Sequence, residues 1–109
     1  MARTALAVTT ITRDGVTEPA ETAGDATNGN TVSNDGRMIV RVHNSDSGAS
    51  HNVTFVTIGT VDGEPVADRV VAMAASAVKW FGPFPTDVYG SSLAVDVADA
   101  QVKLTAYQI

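Results

Sequence analysis

The sequence predicts an all-β fold: an antiparallel β-sandwich, jelly-roll or Ig-like, of about six to eight strands with an extended N-terminal arm. Three observations predict it. After residue 36 the apolar residues recur with the period of two that belongs to strands. Turn signals interrupt that pattern at roughly the 8–12-residue spacing of sandwiches and barrels. Before residue 36, a stretch of Thr, Asn, Asp, Ala and Gly has few large apolar residues and no helical period. At 109 residues the chain is a single domain, divided into an arm or long loop over 1–36 and a sandwich over 37–109.

"ALAVTTIT" (5–12) is an expected strand, paired at an edge or with a neighbouring subunit. Residues 12–36 hold too little apolar surface to fold alone and read as the arm. Within it, "NGN" (28–30) and "NDG" (34–36) are turn chemistry. "RMIVRVHN" sets Met38, Val40 and Val42 on one face, against Ile39, Arg41 and His43. "HNVTFVTIGT" (51–60) is apolar on both faces, Val53 and Phe55 against Val56 and Ile58, as in a strand covered on two sides. Asp62-Gly63 is a hairpin turn signal. "DRVVAMA" (68–74) and "SAVKWF" (76–81) follow as strands; a helix over 66–80 is the rival, since Ala and Met favour it, but the Val residues and the alternation favour strand. "SLAVDVA" (92–98) turns Leu93, Val95 and Val97 inward, and "AQVKLTAYQI" (100–109) does the same with Val102, Leu104 and Ala106.

A net charge of −5 with seven scattered basic residues argues against phosphate-backbone binding, so no nucleic-acid partner is expected. No apolar run nears the ~18 residues of a membrane span, and the N-terminus lacks the apolar core of a signal peptide; no membrane partner is expected. The sequon Asn52-Val53-Thr54 therefore reads as strand sequence. The absence of cysteine excludes disulfides and thiolate chemistry.

Candidate chemistry is sparse. His43 and His51 bracket the loop "NSDSGAS", and with Asp46 they are ligand types of a Zn or Fe site, at a spacing that matches no known signature. "HNSDSG" offers Asn44, Asp46 and Gly48 as a calcium loop would, but Phe55 stands where its bidentate Glu belongs. There is no G-x-S-x-G and no phosphate cradle. The expectation is a non-enzyme with no catalytic residues, metal or cofactor.

"WFGPFPTDVYG" (80–90) holds four of the six aromatics and two of the four prolines. Pro83 and Pro85 end the strand ladder and Gly82 permits a bend, so the stretch reads as a corner between sheets. A ring turned outward there would mark a protein contact, or a sugar-stacking site.

In their order and spacing, Asn28-Gly29-Asn30, Asn34-Asp35-Gly36, Thr60-Val61-Asp62-Gly63, Val66-Ala67-Asp68-Arg69 and Gly82-Pro83-Phe84-Pro85 give the chain its resemblance to a family of small tailed-bacteriophage virion proteins, from about residue 25 to about residue 106. It departs from that family at "AMAASAVK" (72–79), where Ala75-Ser76 replaces a Val-Pro-Ala-Gly-Ala-like turn. The resemblance implies a capsid decoration or cement protein on the virion surface, assembled in the host cytoplasm, that binds the major capsid protein and forms a dimer or trimer on the lattice. The alternatives are a tail, head–tail joining or head-fibre-base component, or a glycan-binding module. The candidate partner contacts are Trp80, Phe81, Phe84 and Tyr89 in the corner and Leu6, Val8 and Ile11 in the N-terminal strand. An arm that attaches by strand addition also implies that deletion of residues 1–30 leaves a folded sandwich without capsid binding.

Overall fold

The structure, a computed structural model, describes residues 3–108 as a β-sandwich. Its strands are β1 (Thr4–Ala5), β2 (Val8–Thr10), β3 (Thr22–Ala23), β4 (Asn30–Ser33), β5 (Met38–Asn44), β6 (His51–Val56), β7 (Thr60–Val61), β8 (Glu64–Pro65), β9 (Arg69–Met73), β10 (Val78–Phe81), β11 (Ser92–Val97) and β12 (Val102–Gln108), with one helical turn, α1 (Thr86–Tyr89). The first sheet has the order β1-β4-β11-β6-β9 and the second β10-β5-β12-β2, with β3 also beside β12.

Alternation decides which face is buried. Met38, Val40 and Val42 of β5 and Val102, Leu104 and Ala106 of β12 turn inward from the second sheet; Val53 and Phe55 of β6 and Leu93, Val95 and Val97 of β11 meet them from the first. At β7-β8 the turn Asp62-Gly63 has both residues at positive φ, 53° and 81°, the backbone a two-residue hairpin turn of the expected kind requires. Strands β9 and β10, not a helix, occupy 69–81. They are joined by a tight turn closed by the Ala77 N–H on the Ala74 carbonyl at 3.0 Å.

Two expectations are corrected. The described part of the N-terminal segment, residues 3–36, is not an extended arm: β4 lies inside the first sheet between β1 and β11, and Val32 is fully buried. The sequence hides this because the segment contributes few apolar residues. Buried Asn side chains fix much of its path. Two of its pairings, β1 with β4 and β2 with β12, are parallel, in a sandwich whose other pairings are antiparallel as expected. Next, the second face of 51–60 is open: strand β6 stops at Val56, and Ile58 is exposed. Strand β12 also buries Thr105 and Tyr107, on the face opposite Leu104 and Ala106.

The two flanks of the sandwich differ. On one, the chain passes from β1 in the first sheet to β2 in the second, and Leu6 at the crossover is buried in the core. On the other, β9 and β10 are the terminal strands of their sheets and lie together because only a short turn connects them. That second flank is the open one.

Candidate functional site

The aromatic stretch builds one end of the open flank. Strand alternation sends Phe81 inward onto Phe55, centroids 4.9 Å apart, and Trp80 outward. Gly82, at φ 148°, follows; a Cβ there would meet the Met38 carbonyl oxygen at 2.5 Å, so only glycine lets the backbone pass. The Gly82-Pro83 peptide is cis. Phe84 then plugs the core, 5.1 Å from Phe55 and edge-on to Tyr89 at 5.2 Å. Pro85 precedes α1, and Gly90, at φ 81°, ends it. The α1 turn also holds the loop after β6, where Ile58 N–H donates to the Val88 carbonyl at 2.7 Å.

Asn34 anchors this corner from the other end of the chain. Its side-chain amide donates to the carbonyls of Phe84 (2.9 Å) and Gly90 (2.8 Å), and its oxygen accepts from the Gly36 N–H. A buried amide with each of these groups paired is a rigid joint.

Between β9 and β10 the corner lines an open groove of about 540 Å³, walled by Arg69, Val71, Trp80, Phe81, Phe84 and Tyr89. The outward side of Trp80 is 58% exposed, and Val70 of β9 is 57% exposed. Behind it, Trp80 lies 5.4 Å from the Tyr107 ring and 5.9 Å from the Arg41 guanidinium. That support fixes the orientation of an exposed indole.

On the outer face of the second sheet, Glu21 takes hydrogen bonds from Arg41 and from His43 Nδ1 (2.9 Å). These pin the segment before β3 across the sheet. Burial pushes the Glu21 carboxyl upward, but the hydrogen bonds from Arg41 and His43 outweigh it and hold the group below its ordinary value. Burial, reinforced by the Glu18 charge, raises the Tyr107 phenol.

The candidate contact residues thus fall into two separated groups. Trp80, Phe81, Phe84 and Tyr89 meet at the groove. Leu6, Val8 and Ile11 lie on the far flank, since β2 and β10 are opposite ends of the second sheet. Leu6 and Phe84, at 7% and 3% exposure, are core residues, which corrects their expected place on a contact surface; alternation and the bend leave no outward direction for either. Ile11 is 44% exposed, its N–H bonded to the Gln108 carbonyl. The sequence reading missed Arg69, Val70, Val78 and Lys79. The signal that could have found them is the tight turn at 74–77, which makes neighbours of two edge strands.

The two histidines belong to different sheets. His51 Nε2 pairs with Asp46 at 2.9 Å, whereas His43 pairs with Glu21. Among the described residues no group of three or more His, Asp or Glu is arranged to hold a metal ion.

Fold and site define a small acidic β-sandwich with one sealed flank and one open, aromatic flank. Set against known proteins, the chain matches no family model, no curated protein and no solved structure.

Proposed function

We propose that the protein is a non-enzymatic structural component of a bacteriophage particle: a decoration or cement protein that binds the outer surface of the major capsid protein shell and stabilises it. The observation that carries this reading is the open flank, where two unpaired strand edges border a groove beside an exposed, well-supported Trp80. Exposed aromatic anchors of this kind suit protein contacts. The resemblance of its ordered turn motifs to those of small tailed-phage virion proteins points the same way, and a net charge of −5 suits the outside of a shell better than contact with packaged DNA. Repetition of one modest contact over a lattice supplies avidity that no single copy needs.

Quantitative mass spectrometry of purified particles tests the reading. Copy numbers comparable with the major capsid protein are expected. A few copies per particle would place the chain at the tail or a single vertex instead, and absence from particles would refute a virion role.

A further inference from the structure

We propose that the free edge of β10 accepts an extended segment of a partner protein as an added strand, and that this segment carries a carboxylate which sits between Lys79 and Arg69. The proposal deepens the reading above and rests on it for the partner's identity, but not for the edge itself.

The register of β10 against β5 shows which main-chain groups are unused. Asn44 N–H donates to the Ala77 carbonyl at 2.9 Å, so Ala77 and Asn44 form a hydrogen-bonded pair. Alternation makes Lys79–Val42 and Phe81–Val40 the next such pairs. The N–H and C=O of Val78 and Trp80 therefore point away from β5, toward solvent. Their side chains are exposed too, Val78 at 42% and Trp80 at 58%. An edge of this kind is a template for another strand.

Charge chooses the occupant. Lys79 lies opposite Val42, and Arg69 of β9 lies opposite Phe55, so both cations spring from the inner faces of their sheets at the open flank. Neither forms a salt bridge among the described residues, whereas Arg3 and Arg41 each have a carboxylate. A second copy of this chain is a poor occupant. Two-fold pairing of β10 with itself in the register that uses every outward group, Val78 with Trp80 of the other copy, would set Lys79 directly against Lys79, and like charges placed opposite each other are destabilising. An inward lysine on an edge is an ordinary guard against self-pairing. Here the same guard, with Arg69 on β9 across the open flank, selects a strand bearing an acid. Apolar side chains flanking that acid would lie beside Val78 and Trp80.

The test is an array of immobilised peptides of about eight residues, varied in sequence and probed with the full chain. Binders are expected to carry Asp or Glu with β-branched or aromatic residues at alternating positions. Their binding is expected to slow hydrogen exchange at the Val78 and Trp80 amides. Val78→Pro removes an outward N–H and leaves the ladder to β5 intact, so it should keep the native melting curve and weaken binding about tenfold, whereas Val78→Ala, which trims the side chain and keeps the N–H, should weaken it less. Lys79→Glu with Arg69→Glu should shift the preference to basic peptides. The proposal is overturned if binding survives Val78→Pro unchanged, if wild-type binders are basic or absent, or if sedimentation shows a dimer that Val78→Pro dissolves. Absence of the chain from particles would sink the capsid reading while leaving these outcomes intact.

Discussion

Three buried asparagines, Asn30, Asn34 and Asn44, do much to determine how the chain is threaded. Asn30 accepts from the Asp25 N–H and donates to the Thr4 carbonyl, which ties β1 to β4. Asn44 donates to the carbonyls of Ala49, Met73 and Ala74, so a single side chain gathers the loop after β5 and the end of β9. Truncation of such a group strands several buried carbonyls at once. Asn34→Ala is expected to cost about 1–3 kcal/mol, read from urea unfolding at constant m-value. A change within error of zero would mean that water replaces the amide. In the sequence, Asn30 and Asn34 are legible only as turn formers beside glycine; that both point inward depends on β4 being paired on both sides. Glu21 supplies a pH prediction. Its folded-state pKa lies below the ordinary 4.5, so its bonds to Arg41 and His43 contribute fully above that value, and the contribution is lost as pH falls through the folded pKa. After correction for intrinsic rates, hydrogen exchange over 22–24 is expected to accelerate below about pH 4.5. Glu21→Gln should show the faster exchange already at neutral pH. Identical exchange in the variant and the wild type would rule out the pin.

At the scale of elements, the aromatic corner acts through the strand it covers. Phe55 on β6 touches both Phe81 and Phe84, so it joins the two sheets at the open flank. Phe55→Ala should cost about 3–5 kcal/mol, measured by chemical denaturation; a loss under about 1 kcal/mol would show that the neighbouring rings collapse into the space. Trp80→Ala is the contrasting case. Trp80 is mostly exposed, so its removal should cost only about 1 kcal/mol of stability through Tyr107 and Arg41, while partner binding falls steeply. The long strands were legible because each has a face that repeats every second residue: Met38, Val40 and Val42, or Leu93, Val95 and Val97, need no context to be read. The turn α1 was not, since four residues carry no period. Nor was the burial of Tyr107, because the Trp80 ring that packs on it comes from a strand distant in sequence. Trp80 was legible as a candidate contact, but its two charged companions at the open flank were not. Lys79 and Arg69 look like ordinary solvent residues until the turn at 74–77 brings the edges together.

For the whole molecule, the N-terminal segment matters most, because it seals one flank and leaves the other open. The chain crosses from β1 to β2 between the sheets, buries Leu6, and delivers β3 and the Asn30 joint beside them. Deletion of residues 1–30 would remove the neighbours of β4 and β12 on that flank and open the core where Leu6 lies. Burial of one leucine side chain contributes roughly 1.5–3 kcal/mol, and in a domain of this size each 1 kcal/mol moves the midpoint by about 4–8 °C. The truncated chain is therefore expected to melt at least about 6 °C below the full chain in a circular-dichroism scan, with a broader transition. This replaces the sequence-based expectation that the same deletion leaves the sandwich intact and abolishes only capsid attachment. The two outcomes separate cleanly: a truncated chain with an unchanged midpoint would return the segment to the status of a detachable arm. A large loss of stability would mean that attachment has to be sought at the β9–β10 flank, with point substitutions rather than truncation.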